Sequence, residues 1–253
     1  MVHVLAYVIH ITSSPLTFLN VMISFVQRQK QLKKKNMRKR KALVFDCDGT
    51  LVNSIPRGFQ ATCQVFKEAG MPAPSFKDFF TNLCFPPLAY YRAGGVLLSD
   101  EKIWEIYLRH ANHHTAELFP DTMSTLTKLA SRAAELNIVY FGILSANHSD
   151  ILETLLEKRD IRKFFNEVKG DVEDKCAELK RIALTHNVEH TSVVWVGDFP
   201  CDMRDGDKAG VFSVGVAQCM PDERNLTSLL RQAGADHCIK NLQELEDVLT
   251  AIL

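Results

Sequence analysis

Two aspartates one residue apart, Asp46 and Asp48, close the apolar run Lys41–Phe45 and are followed by Gly49 and Thr50. The run is short, continuous and apolar, which predicts a buried strand. Both carboxylates then sit where a parallel strand empties into its loop, the place where open α/β sheets bind ligands. Residues two apart on a strand point the same way, so the pair can face one site. Two carboxylates this close resist double ionisation. One can hold a proton near neutrality unless a metal offsets the charge. Such a pair suits acid–base and nucleophilic work. The alternative is a strand-end turn with a capping aspartate. D-x-D-G-T arises by chance at about one position in 100,000, which favours chemistry over that alternative.

The elements that must position this pair follow along the chain. Ser54 and Pro56 mark a helix start and Gly70 its stop. Ser75 caps a short helix to Leu83, and Pro86-Pro87 opens a further piece ended by Gly94-Gly95. Ser99-Asp100-Glu101 starts a helix running to about Leu118. Residues 56–118 therefore hold several helices and no convincing strand. Beyond Pro120 the pattern alternates. A helix to about Leu136 precedes the apolar run Ile138–Leu144, and a helix covers His148–Lys158. Lys175–His186 is helical, and Ser192–Val196 and Val211–Val216 are apolar strands. Helices near Asp222–Gln232 and Leu242–Ile252 close the chain. Alternating strands and helices predict an α/β fold, a Rossmann-like, doubly wound parallel sheet, with an all-helical block inserted after the first strand.

The segment from Asp46 to Thr50 resembles the first motif of the haloacid dehalogenase-like (HAD) phosphohydrolases. In that family the first aspartate is a nucleophile and the second an acid/base. The resemblance extends over residues 41–253, and the position of the helical block is similar to the phosphoglycolate phosphatase and β-phosphoglucomutase branch. It implies a core of 41–55 and 119–253, with 56–118 as a helical cap that chooses the substrate. Ser145, with Ala146 and Asn147, resembles the second motif, which holds a phosphoryl oxygen. Backbone N–H groups at the following helix start would help, although a lone serine before a helix is commonly just its cap. Lys175 resembles the third-motif lysine that holds the nucleophile, with Cys176 where the family commonly has proline and Lys169 as its competitor. Gly197-Asp198-Phe-Pro-Cys-Asp202 resembles the fourth motif, G-D-x-x-x-D. The implied cofactor is Mg²⁺, held by Asp46, the Asp48 carbonyl and Asp198, with Asp202 behind them or acting through water. Gly49, Thr50 and Arg57 join the substrate-binding candidates. Arg92 is a further candidate, whereas Tyr90, Tyr91 and Trp104 read as packing, His113 and His114 as solvent-facing, and Asp205 and Asp207 as helix surface.

These motifs together predict a Mg²⁺-dependent phosphatase acting on a small phosphorylated metabolite, phosphoglycolate-like or a sugar phosphate, through an aspartyl-phosphate. A sugar-phosphate mutase of the same fold is the nearest rival. A dehalogenase is disfavoured, because halide departure needs no acid at Asp48. A non-catalytic binding or regulatory protein is the alternative from another class, and the intact Asp46, Asp48, Lys175 and Asp198 argue against it.

Charge and cysteines bound the rest. The chain is formally neutral, yet residues 1–41 hold nine of its 30 Lys and Arg and none of its 30 Asp and Glu. Residues 42–253 thus carry 21 basic against 30 acidic groups, a net of −9, which argues against nucleic-acid binding by the folded body. The seven cysteines are odd in number, scattered and without a C-x-x-C pair, which fits a reduced cytoplasmic setting better than a disulfide framework or a zinc site. Cys47, Cys176 and Cys201 lie within the motifs, as small buried filler or as oxidisable switches. Residues 1–27 lack charge and Arg28–Lys41 is basic. That segment reads as a membrane contact keeping the body cytoplasmic, as a dispensable extension with Met37 an alternative start, or as a basic address read by acidic lipid or the nucleus.

Overall fold

The computed structural model describes residues 39–83, 87–111, 115–219 and 223–252. The expectations for residues 1–38, for His113 and His114, and for the starts at Pro86 and Asp222 lie outside them.

Six parallel strands form one sheet: β1 (Lys41–Phe45), β2 (Ile138–Leu144), β3 (Glu167–Lys169), β4 (Val193–Gly197), β5 (Phe212–Val216) and β6 (His237–Ile239). Their order is β3-β2-β1-β4-β5-β6. The winding reverses between β1 and β4, so the ends of these two strands flank the switch point where such sheets bind ligands. In register, Phe45 pairs with Ile143 on one side and Val196 on the other. The residues that follow each strand therefore emerge at one level.

Strand alternation sorts the core into two faces. Ala42, Val44, Val193 and Trp195 pack on one face with the helices α8 (Lys175–Thr185), α9 (Pro200–Ala209) and α10 (Glu223–Gln232). Leu43, Phe45, Val194 and Val196 pack on the other with α5 (Thr122–Ser131), α7 (Ser149–Lys158) and α11 (Leu245–Ala251). A register irregularity at Lys41/Ala42 skips Val139. Val139 is accordingly exposed, whereas Ile138 and Tyr140 fall on opposite faces. Fully burying one such aliphatic side chain is worth about 1.5–3 kcal/mol, so the two faces supply the main drive to fold.

Between β1 and α5 lie α1 (Ile55–Glu68), α2 (Phe76–Asn82), α3 (Leu88–Ala93) and α4 (Asp100–Ala111). Pro56 sits at the second helical position of α1, where its missing N–H costs nothing. Gly70, at φ +73°, follows its end in the left-handed region. Ser75 caps α2 by accepting from the Asp78 N–H at 3.0 Å.

Several boundaries differ from expectation. The helix from Asp100 is described as far as Ala111, and Leu118, where it was expected to run, instead bridges Val52 in antiparallel sense. The helix expected up to Leu136 breaks at Arg132 into α5 and α6 (Ala133–Leu136). Strands β3 and β6 carry no apolar run to announce them. Each has three residues and lies at an edge of the sheet, where one neighbour suffices.

Candidate active site

The end of β1 places Asp46. Its N–H donates to the Val196 carbonyl at 2.8 Å, so the strand pairing carries one residue past the last β1 position. The chain then turns tightly, with the N–H groups of Leu51 and Val52 converging on the Cys47 carbonyl at 2.9 and 3.1 Å. Gly49 adopts φ +87°, and a Cβ there would lie 2.1 Å from Asp198 Oδ2. This position demands glycine both for its backbone and for the close approach of Asp198.

Lys175 reaches the same point from α8. Asp174 caps that helix by accepting from the Ala177 N–H at 2.9 Å, which fixes Lys175 at the first helical position. Its Nζ donates to Asp46 Oδ1 and to Asp202 Oδ1, each at 2.7 Å, and the side chain is almost fully buried. Burial works to lower the lysine's pKa, but the Asp202 and Asp46 carboxylates outweigh it and hold the ammonium well above its ordinary range. The competitor Lys169 instead pairs with Glu178 at 2.7 Å and is half-exposed.

The end of β4 supplies Asp198, fully buried. Its Oδ1 accepts from Thr50 Oγ1 at 2.9 Å, and its Oδ2 is buried with no hydrogen-bond partner. Asp202, one turn into α9, spends Oδ1 on Lys175 and Oδ2 on the Phe199 N–H at 3.1 Å. Carboxylate oxygens of Asp46, Asp198 and Asp202 lie within 4.8 Å of one another. The cost of this crowding is visible in their titration. Burial pushes Asp46 up to about 7 against the opposing pull of Lys175, with Asp202 and Asp48 adding to the rise. Burial, then Asp46 and Asp202, hold Asp198 well above the usual carboxylate range. Three buried carboxyls facing one ammonium, with one oxygen unpartnered, fit a divalent cation of the hard, oxygen-seeking kind.

Ser145 ends β2, buried, with its N–H bound to the Lys169 carbonyl at 2.9 Å and its hydroxyl accepting from the Asn147 N–H at 3.1 Å. Asn147 Nδ2 reaches Asp48 Oδ2 at 3.4 Å. Asp171, held at φ +53°, accepts from the Ser149 N–H at 2.9 Å, from Ser149 Oγ at 2.7 Å, and meets His148 Nδ1 at 2.8 Å. These bonds tie the start of α7 beside the aspartates.

Asp46, Asp48, Ser145, Ala146, Asn147, Lys175 and Asp202 all face one cavity of about 290 Å³. The other expected residues stand elsewhere. Thr50 is fully buried with its hydroxyl spent on Asp198, so Gly49 and Thr50 shape the carboxylate cluster and neither lines the cavity. Arg57 also lies off the cavity wall, with its guanidinium donating to Thr115 Oγ1. Arg92 is turned to the Val96 and Leu98 carbonyls at 2.7 Å and to Asp100. Conversely, Tyr91 and Trp104, read from sequence as packing, line the cavity together with Tyr107, Phe79 and Phe199. An apolar side chain facing a cavity carries the same periodicity as one facing a core, so no sequence signal separates them. Burial pushes the Cys47 and Cys201 thiols well above their ordinary pKa, which favours inert filler over an oxidisable thiolate.

Known proteins resemble this chain in sequence and in fold. The sequence model of the family described as Haloacid dehalogenase-like hydrolase matches residues 43–216. A phosphoglycolate phosphatase of Synechococcus elongatus is 26% identical over 199 residues, covering 74% of this chain and 88% of the relative. A haloacid dehalogenase-like family hydrolase from Streptococcus pneumoniae superposes with a TM-score of 0.64 at 23% identity, covering 83% of this chain and 98% of that one. A hydrolase from Pseudomonas syringae gives a TM-score of 0.68 at 18% identity, covering 84% and 99%.

Proposed function

The chain belongs to the haloacid dehalogenase-like hydrolases, and within that family we propose that it is a Mg²⁺-dependent phosphatase of a small phosphate monoester, working through an aspartyl-phosphate on Asp46. One observation carries this reading. A single buried ammonium, Lys175, holds Asp46 at the end of the central strand, beside an Asp198 oxygen that has no partner. The relatives named phosphoglycolate phosphatase support the reaction class.

In this reading Asp46 attacks phosphorus and the alcohol leaves. Asp48, steadied by Asn147, protonates the departing oxygen and then takes a proton from the water that cleaves the acyl phosphate. Lys175 keeps Asp46 in place as the anionic phosphoryl group approaches. The Ser145 hydroxyl would hold a phosphoryl oxygen. Asp46, the Asp48 carbonyl and Asp198 would hold Mg²⁺, which supplies positive charge opposite the phosphoryl oxygens when bound. Asp202 would act one bond removed, through Lys175 and the Phe199 N–H.

The helices α1 to α4 are proposed as a cap, 56–118, over a core of 41–55 and 119–253, since they contribute much of the cavity wall. The reduced cytoplasm is the proposed compartment, supported by the odd, scattered cysteines. Among the described residues no helix is long and apolar enough to cross a membrane.

The test is phosphate release from a panel of phosphate monoesters with and without Mg²⁺, beside Asp46→Asn. Metal-dependent release lost in the variant is the expected result. Wild-type rates from Asp46→Asn refute the nucleophile. A bisphosphate product in place of free phosphate marks a mutase.

A further inference from the structure

The cavity wall says what kind of alcohol can carry the phosphate. Among the described residues lining it, the one Lys or Arg is Lys175, and its ammonium already serves Asp46 and Asp202. Arg57 and Arg92 are turned to other partners. Anionic side chains, by contrast, abound. Asp171 and Glu173 line the wall in addition to Asp46, Asp48 and Asp202, and Asp171 already engages the ring of His148.

Beyond the aspartates much of the wall is carbon. Phe79, Leu83, Leu88, Trp104, Leu108 and Phe199 bound it. The Trp104 ring stands edge-on to Tyr107 at 5.7 Å and to His148 at 5.9 Å between ring centroids. Polar groups are few and neutral on this side. Thr62 and Tyr91 satisfy each other at 3.2 Å, while Ser54 Oγ is buried in the wall without a partner. A volume of about 290 Å³ is at the small end of the range usual for ligand pockets, ~300–1,000 Å³.

We propose that the phosphate ester accepted here has an uncharged alcohol portion with a flat, apolar body, rather than a second anionic group. This rests on the phosphatase reading and narrows it. A carboxylate on the alcohol would leave water for a wall whose described residues offer it no free cation and two further carboxylates. A ring or short hydrocarbon chain would instead exchange water for Trp104, Leu108 and Phe199.

The experiment compares kcat/KM for phenethyl phosphate, phosphoglycolate and glucose phosphate, using the full chain with Mg²⁺. Phenethyl phosphate is expected to exceed phosphoglycolate by at least roughly 100-fold, mainly through KM. Leu108→Arg, which adds a cation to the wall, is expected to narrow that gap by about 10-fold or more. Equal or better turnover of phosphoglycolate by the wild-type protein overturns the proposal and leaves the phosphatase reading standing. Preference for glucose phosphate overturns the apolar body. If no ester is hydrolysed, the phosphatase reading falls. Calorimetric binding of phenethylphosphonate against phosphonopropionate then decides the wall: tighter binding of the first upholds the proposal, and equal or weaker binding overturns it.

Discussion

Lys175 Nζ donates to Asp46 Oδ1 at 2.7 Å, across 129 positions of sequence and with both side chains nine-tenths or more buried. The same nitrogen holds Asp202, so a single cation separates two buried carboxylates. Removing one partner of a buried ion pair leaves uncompensated charge and costs about 3–5 kcal/mol. Lys175→Met is therefore expected to lose turnover and to lower unfolding stability in urea by about that amount at neutral pH. Unchanged stability would show that the ammonium is not what reconciles Asp46 with Asp202.

Gly49 and Asp198 set a second constraint. A Cβ at residue 49 would lie 2.1 Å from Asp198 Oδ2 and 2.7 Å from Ile55 Cγ1, at a backbone φ of +87°. Gly49→Ala must therefore shift the unpartnered oxygen offered to the cation. The expected result is a Mg²⁺ affinity lowered by about 10-fold or more by calorimetry, together with a stability loss of order 1–3 kcal/mol. Mg²⁺ affinity equal to wild type would remove Asp198 Oδ2 from the proposed ligand set.

Asp48 is the proposed acid, and Asn147 Nδ2 reaches its carboxylate at 3.4 Å. Its replacement should spare the ground state. Asp48→Asn is expected to bind inorganic phosphate like wild type while turnover falls about 10²–10⁴-fold, the usual worth of a positioned acid or base. The loss should shrink for esters with good leaving groups, which need little protonation. A uniform loss across leaving groups would point to a structural role instead.

The site was more legible in the sequence than the cavity around it. Asp46, Ser145 and Asp198 each follow an apolar run, and a run that must be a buried strand also says where its end lies. Lys175 was readable only through its resemblance to the third motif, with Lys169 left as a competitor, because the cap that Asp174 forms shows only in the folded chain. The roles of Gly49 and Thr50 were not, since only the folded chain brings Asp198 against them. Arg57 carries a charge whose direction no pattern encodes, and it faces Thr115. Trp104 and Tyr107 share the helical spacing of a core stripe, so their exposure to the cavity depends on how α4 packs. Strands β3 and β6 are too short and too polar to leave a period.

The last consequence concerns pH and folding rather than catalysis. Without a bound cation, burial raises Asp46 in the folded chain from 3.8 to about 7, and Asp198 rises in the same direction. Between those limits the folded state binds more protons than the unfolded one, so stability falls as pH rises. The contribution is fully present below about pH 4 and is lost on passing through pH 7. Raising one pKa by a single pH unit corresponds to about 1.4 kcal/mol, and each kcal/mol moves Tm by about 2–4 °C in a chain of this size. In EDTA, Tm is therefore expected to drop by several degrees between pH 5 and pH 8. Mg²⁺ competes with protons for the same oxygens, so its stabilising effect should grow over that interval and flatten the slope. Asp198→Asn removes one of the two titrating carboxyls and should show a shallower slope in EDTA than wild type. A wild-type Tm in EDTA that is level or rising from pH 5 to pH 8 would mean that the cluster titrates normally and that its charge is already compensated without metal.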